Sequence, residues 1–195
     1  MVKYVLETIT KNRIGIFSGS FDPPHLGHIH ISKLIINKLK LEKLIWSVTK
    51  KNPLFKKKYL NSYKQRIDFS IKITQNIKKI FVSKIDKKYS FQLISFFKKK
   101  YKNKRLFFLI GGDNVKNFHK WKNFNTIVNT STLVIVSRPG YEKEFKNSFF
   151  FKKYSKFLLK NCNMLSIIPA KKWIYINDKG INISSSMIKN VSKEK

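Results

Sequence analysis

The sequence predicts an α/β protein built on a doubly wound parallel sheet, and three observations carry that expectation. Short runs rich in β-branched and aromatic residues, at Ile14–Phe17, Lys43–Val48, Ile80–Ser83, Arg105–Ile110 and Leu133–Ser137, are separated by stretches with helical periodicity. Such alternation implies a parallel sheet joined by right-handed crossovers. Two of the runs end in glycine-bearing turns, Gly19-Ser20-Phe21-Asp22 and Gly111-Gly112-Asp113-Asn114. In parallel sheets ligands bind beyond the carboxyl ends of the strands, where both turns fall.

Taken in order, residues 1–12 read as an extension before the first strand, Ile14–Phe17. An amphipathic helix is expected over Ile29–Leu41, with Ile31, Leu34, Ile35 and Leu39 on its apolar face. Lys43–Val48 is the second strand. Thr49–Tyr59 is a lysine-rich loop carrying Asn52-Pro53. Ser62 is placed to cap a helix running to Ile77 with Ile67, Ile71 and Thr74 at helical spacing, and Ile80–Ser83 is a short strand. Ser90 is expected to cap a helix reaching Tyr101, with Leu93, Ile94 and Phe97 inward. Arg105–Ile110 is the clearest buried strand, and Leu133–Ser137 is closed by Arg138-Pro139-Gly140. The segment 141–162 has no clean period and yields no element. Leu165–Ile168 and Trp173–Ile176 read as late strands, and a last helix from Ser185 frays into the tail at 190–195. Without repeats or a long low-complexity linker, residues 1–195 are expected to form one domain.

Composition sets further bounds. A hydrophobic fraction of 42% is that of a globular protein, and the one cysteine, Cys162, permits no internal disulfide. No apolar stretch of about 18 residues is present, and MVKYVLETITKN lacks the continuous apolar segment of a signal peptide, so a cytoplasmic protein is expected. The net charge of +32 invites a nucleic-acid reading. The lysines are nevertheless scattered along the whole chain, and arginine occurs only at Arg13, Arg66, Arg105 and Arg138. A clustered basic face and sheet-borne stacking aromatics are both missing from the pattern. The charge is therefore read as compositional background, with no specific nucleic acid and no membrane as partner.

The chemistry concentrates in Gly19-Ser20-Phe21-Asp22-Pro23-Pro24-His25-Leu26-Gly27-His28. Glycine lets the backbone approach a bound group, and the prolines stiffen the path. His25 and His28 bracket the first turn of the following helix, where unpaired N–H groups and the positive dipole end attract anions. Two imidazoles there are suited to phosphoryl oxygens.

This stretch resembles the (H/T)xGH signature of the nucleotidyltransferase superfamily, and GSFDPPHLGH is most similar to the form found in bacterial nicotinate mononucleotide adenylyltransferases. Three further stretches match that family in order. Lys88-Tyr89-Ser90 stands where the family carries a Tyr-Thr pair opening a helix. Gly111-Gly112-Asp113-Asn114 followed by His119-Lys120-Trp121 resembles its GADN and H-x-W elements. Ile183-Ser184-Ser185-Ser186-Met187-Ile188-Lys189 resembles its ISSTxIR motif.

The resemblance implies a Rossmann-like sheet of the HxGH type and adenylyl transfer from ATP, with Mg²⁺ carried on its phosphates and no protein metal site. It implies that His25 and His28 are catalytic and contact the triphosphate. Gly19, Ser20, Phe21, Gly111, Asp113, Ser184, Ser185, Ser186 and Lys189 would complete the ATP site. Ser20, Lys56, Tyr89, Ser90, His119 and Trp121 would receive nicotinate mononucleotide, with Trp121 stacked on the ring. On residue type alone Asp113 is equally a loop carboxylate, Trp121 a core tryptophan, and Ser184–Ser186 a helix cap.

The chain departs from the family elsewhere too. Ser186 replaces a threonine, Lys189 an arginine, and Gly112 an alanine, while the Asn-Pro-x-Lys element reads Asn52-Pro53-Leu54-Phe55 with its lysine one place late at Lys56. Phosphopantetheine adenylyltransferase, which shares the fold and the turn, is the close alternative. That family has threonine in place of His25 and lacks the H-x-W and ISSSxIK patterns.

Overall fold

The computed structural model describes residues 12–51, 58–137, 145–159 and 171–178. Six strands form one sheet: β1 (Arg13–Gly19), β2 (Lys43–Val48), β3 (Ile80–Ser83), β4 (Arg105–Gly111), β5 (Thr132–Val136) and β6 (Trp173–Ile176). Their spatial order is β3-β2-β1-β4-β5-β6, and every neighbouring pair is parallel. The order runs outward one way from β1 through β2 to β3, and the other way from β4 to β6. The reversal between β1 and β4 opens a crevice at their carboxyl ends.

Side chains alternate across the sheet and fill two cores. On one face Ile14, Ile16, Phe108, Ile110, Leu133 and Trp173 pack with Leu93, Ile94 and Phe97 of α3 (Ser90–Lys100). On the other, Leu44, Trp46, Val48, Phe107, Leu109 and Ile174 pack with Ile35 and Ile36 of α1 (Leu26–Lys38), its C-cap Leu39, and Ile67 of α2 (Tyr63–Thr74). Burial on both faces explains why β4 reads RLFFLI without polar alternation.

The described strands lie where the sequence places them, to within a residue at their ends except that β1 runs two residues beyond Phe17. The helices differ more. α1 begins at Leu26 and ends at Lys38, three residues early at each end of the expected span. It stops in a Schellman arrangement, with Leu41 N–H on the Ile36 carbonyl, Lys40 N–H on that of Asn37, and Lys40 at φ 48°. A lysine rather than a glycine occupies the left-handed position, which hides the stop in the sequence. In α2 Ser62 is the cap, its hydroxyl accepting the Gln65 N–H while Gln65 Oε1 accepts the Ser62 N–H. Ile71, though at helical spacing with Ile67 and Thr74, is 43% exposed. The buried stripe is instead Arg66, Ile67, Ser70 and Thr74, whose hydroxyls donate to the Arg66 and Ser70 carbonyls four residues back. The cap of α3 is Tyr89, not Ser90, and Gln92 Oε1 accepts the Tyr89 N–H.

Three short helices lie where no element was expected: α4 (Gly112–Val115), α5 (Phe124–Thr130) and α6 (Phe149–Tyr154). In α6 three consecutive phenylalanines conceal the period, because only Phe150 and, one turn on, Tyr154 are buried. Of the remaining expectations, Leu165–Ile168, the helix from Ser185, the tail at 190–195 and the extension (except Asn12) lie outside the described residues.

Candidate active site

The signature turn leaves β1 at Gly19 and delivers its histidines to the start of α1. His25 is the N-cap residue in extended conformation, and its carbonyl accepts the His28 N–H at 2.9 Å. The His25 N–H in turn donates to His28 Nδ1 at 3.2 Å. A backbone N–H can only donate, so His28 Nδ1 accepts and the neutral ring carries its proton on Nε2. The two imidazole centroids are 3.8 Å apart. An anion at this helix terminus therefore meets two imidazoles and the N-terminal amides together.

The turn stands on an aromatic base that sequence reading did not reveal. Phe21, at φ 47° and fully buried, stacks on Trp46 of β2 with centroids 4.6 Å apart and planes at 15°. Phe21 also lies 4.9 Å from the His28 ring, and Phe17 meets Phe21 edge-on at 5.4 Å. Trp46 is anchored by its Nε1–H to the hydroxyl of Ser32 on α1 at 2.9 Å. A non-glycine residue in the left-handed region carries a conformational cost, which this packing offsets.

Two buried charged groups clamp the turn to the start of α2. Asp22, 1% exposed, accepts the Leu60 N–H at 2.7 Å, the Asn61 N–H at 3.0 Å and the Asn61 side-chain amide at 2.8 Å. The Asp22–Pro23 peptide is cis. Arg66, also 1% exposed, donates from Nη1 to the Ser20 carbonyl at 2.7 Å and the Thr49 carbonyl at 2.8 Å, and from Nη2 to the Lys50 carbonyl at 3.1 Å. Arginine is rare in this lysine-rich chain, and its place beside Ile67 and Ser70 on the inward stripe was the one available signal of such a role.

Across the crevice, β4 ends in Gly111 and α4 starts at Gly112, with Asp113 half-buried in its first turn. A side chain at Gly111 would collide with Asp113 Oδ1, so glycine there leaves the carboxylate its position. His119 and Trp121 follow in and after a 3₁₀ turn at Phe118–Lys120. Trp121 is half-buried and meets Phe118 edge-on at 5.3 Å and Phe108 at 6.4 Å. It belongs in part to the core and in part to the surface. His119 lies 5.2 Å from the Phe149 ring. Tyr89 and Ser90 join this group through Lys122, whose ammonium lies 5.0 Å from the Tyr89 ring, with Lys88 at 5.4 Å. Two cations thus flank the start of α3, whose first N–H groups face outward from the helix end.

The fold so brings the first turn (Gly19, Ser20, Phe21, His25, His28) and the second (Gly111, Asp113) to adjacent strand ends, and links Tyr89–Ser90 to the Trp121 segment. Lys56, Ser184, Ser185, Ser186 and Lys189 lie outside the described residues. The Asp178 carboxylate is 2.9 Å from His30 Nε2 on α1. Among the described residues no group of three or more His, Cys, Asp or Glu side chains is placed to hold a metal ion, and no helix is long and apolar enough to cross a membrane.

Known proteins are similar to this chain throughout. The family described as cytidylyltransferase-like matches residues 16–191. A Pelagibacter ubique protein named "Probable nicotinate-nucleotide adenylyltransferase" is 35% identical over 185 residues, spanning 93% of this chain and 94% of the relative. A Rhizobium meliloti protein of the same name is 29% identical, spanning 91% and 97%. Among solved structures, Plasmodium falciparum nicotinic acid mononucleotide adenylyltransferase complexed with NaAD superposes with a TM-score of 0.66 at 19% identity, over 93% of this chain and 89% of that one. At that identity the likeness carries the fold. The family match and the Pelagibacter relative identify the chain as a member of the nicotinate-nucleotide adenylyltransferase family of cytidylyltransferase-like proteins.

Proposed function

We propose that the protein transfers the adenylyl group of ATP to nicotinate mononucleotide, forming nicotinate adenine dinucleotide and pyrophosphate, a step of NAD biosynthesis. The observation that carries the reading is the pairing of two turns at one crevice. The His25/His28 turn leaves β1 and the Gly111–Asp113 turn leaves β4 at the point where the strand order reverses. The names of the relatives support it, as do the NaAD-complexed neighbour and a second structure of that enzyme complexed with APC.

In this reading a phosphate oxygen of the mononucleotide attacks the α-phosphorus of ATP. A P–O bond forms, the bond to the β-phosphate breaks, and pyrophosphate leaves with the electron pair. The nucleophile is already anionic at neutral pH, so no base is needed. The site has to align two polyanions and relieve their repulsion. His28 Nε2–H and His25 donate to the triphosphate, and the N–H groups at the start of α1 add to them. Gly19, Ser20 and Phe21 hold the phosphates from below. Asp113 accepts from the ribose of ATP, and Gly111 keeps its carboxylate in place. Ser184, Ser185, Ser186 and Lys189 steady the leaving pyrophosphate. ATP enters as its Mg²⁺ complex, the metal shielding phosphate charge as part of the substrate.

On the acceptor side, Trp121 stacks on the pyridine ring and the Tyr89–Ser90 helix start receives its carboxylate, with His119, Ser20 and Lys56 completing the subsite. The ammonium groups of Lys88 and Lys122 over Tyr89 favour a carboxylate over a neutral amide. Residues 1–195 act as one nucleotidyltransferase domain, and the single cysteine fits a cytoplasmic setting. Pyrophosphate release with Mg·ATP and a panel of acceptors tests the reading. Release with nicotinate mononucleotide is expected. Release that occurs only with phosphopantetheine would overturn it.

A further inference from the structure

We propose that Arg66 is a positioning residue for adenylyl transfer, one that sets the signature turn through the backbone and places a buried positive charge beneath the phosphate site. The proposal rests on the transfer reading above.

Three carbonyls meet at this guanidinium. Ser20 belongs to the signature turn, while Thr49 and Lys50 follow the end of β2. The Thr49 N–H already donates to the Gly19 carbonyl at 2.9 Å, extending the β1–β2 ladder one step past Val48. Arg66 takes over where that ladder ends. Fixing the Ser20 carbonyl also fixes the plane of the Ser20–Phe21 peptide, because the unit is rigid. That peptide leads into Phe21 at φ 47°, the residue against which the His28 ring lies. One side chain of α2 thereby governs the orientation of Ser20, Phe21 and His28.

The choice of arginine goes beyond what a staple needs. Burying a guanidinium costs free energy unless a counter-charge accompanies it. Arg66 takes no part in the His30–Asp178 or Lys104–Glu42 pairs, and its Nε–H is buried without a hydrogen-bond partner. The Tyr59 ring at 4.1 Å and the Tyr63 ring at 5.7 Å also support the cation, and Asp86 lies nearby on the Lys50 N–H. The Asp22 carboxylate on the same turn is engaged by the Leu60 and Asn61 amides, and a polyphosphate above the Ser20 turn adds negative charge that the guanidinium attracts.

The test uses the full-length protein with Arg66→Met, which keeps volume and removes charge and donors, and Arg66→Lys, which keeps charge and loses the fork. Exposed Lys64 on the same helix, changed to Ala, is the control. Two readouts are taken: the melting shift produced by Mg·ATP without any acceptor, and kcat and KM for nicotinate mononucleotide. Misplacement of reacting groups by about an ångström costs up to a hundredfold. Arg66→Met is therefore expected to lower kcat about ten- to a hundredfold, with the mononucleotide KM within about threefold, and to lose the ATP-induced shift. Arg66→Lys should recover part of both, and Lys64→Ala should match the parent.

A folded Arg66→Met protein with parental kcat and ATP shift, merely melting lower, would make Arg66 a fold staple and overturn the proposal. If Arg66→Met does not fold, Arg66→Lys decides. A kcat at least about fivefold down in a folded protein supports the proposal, and a parental kcat overturns it. Should the parent bind ATP but fail to use nicotinate mononucleotide, the transfer reading falls, and the ATP shift alone still decides for or against Arg66.

Discussion

Replacing Gly111 by alanine perturbs the ATP side of the site through a single added carbon. The backbone at Gly111, φ −68° and ψ 145°, is extended and open to any residue, so the substitution introduces no conformational strain. Its Cβ, however, would overlap Asp113 Oδ1, and the nearest alternative neighbour is the Asn114 amide at 3.6 Å. The carboxylate is the movable partner and must rotate away. In the proposed reaction that carboxylate holds the ribose of ATP, and a hydrogen bond to a charged group contributes about 1.5–3 kcal/mol. At 1.4 kcal/mol per tenfold, the KM for ATP should rise roughly 10- to 150-fold. The mononucleotide KM and the melting temperature should change little. Initial rates at varied ATP and saturating acceptor measure the effect, with Asp113→Asn beside it. The double variant should be little worse than either single one, because both remove the same interaction. A KM for ATP within twofold of the parent would refute the reasoning and make Asp113 a loop carboxylate.

Three further outcomes are expected. His28→Ala should lower kcat about a hundredfold or more, the scale of losing one donor to a developing anion, with little loss of stability; full activity would make the signature structural. Ser32→Ala strands the buried Trp46 Nε1–H and should destabilise the protein by about 1–3 kcal/mol in urea unfolding, a change that Ser32→Thr should largely avoid. The Tyr154 hydroxyl, pushed above its ordinary value by burial, contributes stability that is present below about pH 10 and is lost as pH rises further; Tyr154→Phe should therefore gain in melting temperature relative to the parent between pH 8 and pH 11, and a constant difference would count against it.

The sheet and the first turn of the site were legible because their signals are local. Unbroken apolar runs mark buried strands, and Gly19, Pro23, Pro24 and the two histidines mark the turn within ten residues of one another. What stayed hidden depends on distant partners. Arg66 acts on Ser20, 46 positions away, and on Thr49 and Lys50, 17 and 16 away, so no periodicity announces it. Trp46 and Ser32 meet only because β2 and α1 pack, and from sequence Trp46 is merely one more aromatic in a strand. The end of α1 was misplaced for a different reason: Lys40 adopts a conformation for which glycine is the usual marker. The exposure of Ile71 is hidden too, because the buried stripe of α2 is largely polar, with hydroxyls satisfied by the helix's own carbonyls. The helices at α4, α5 and α6 are each shorter than two full turns, too brief for a period to emerge.

The central claim is that a phosphate oxygen of nicotinate mononucleotide attacks the α-phosphorus of ATP in the crevice between β1 and β4. Nicotinate mononucleotide carrying ¹⁸O on its phosphate oxygens, incubated with the protein and unlabelled Mg·ATP, tests it in one mass-spectrometric measurement. The account predicts nicotinate adenine dinucleotide that retains every labelled oxygen, together with unlabelled pyrophosphate. A dinucleotide that has lost a label, or the absence of any dinucleotide from protein that binds both substrates, would contradict it.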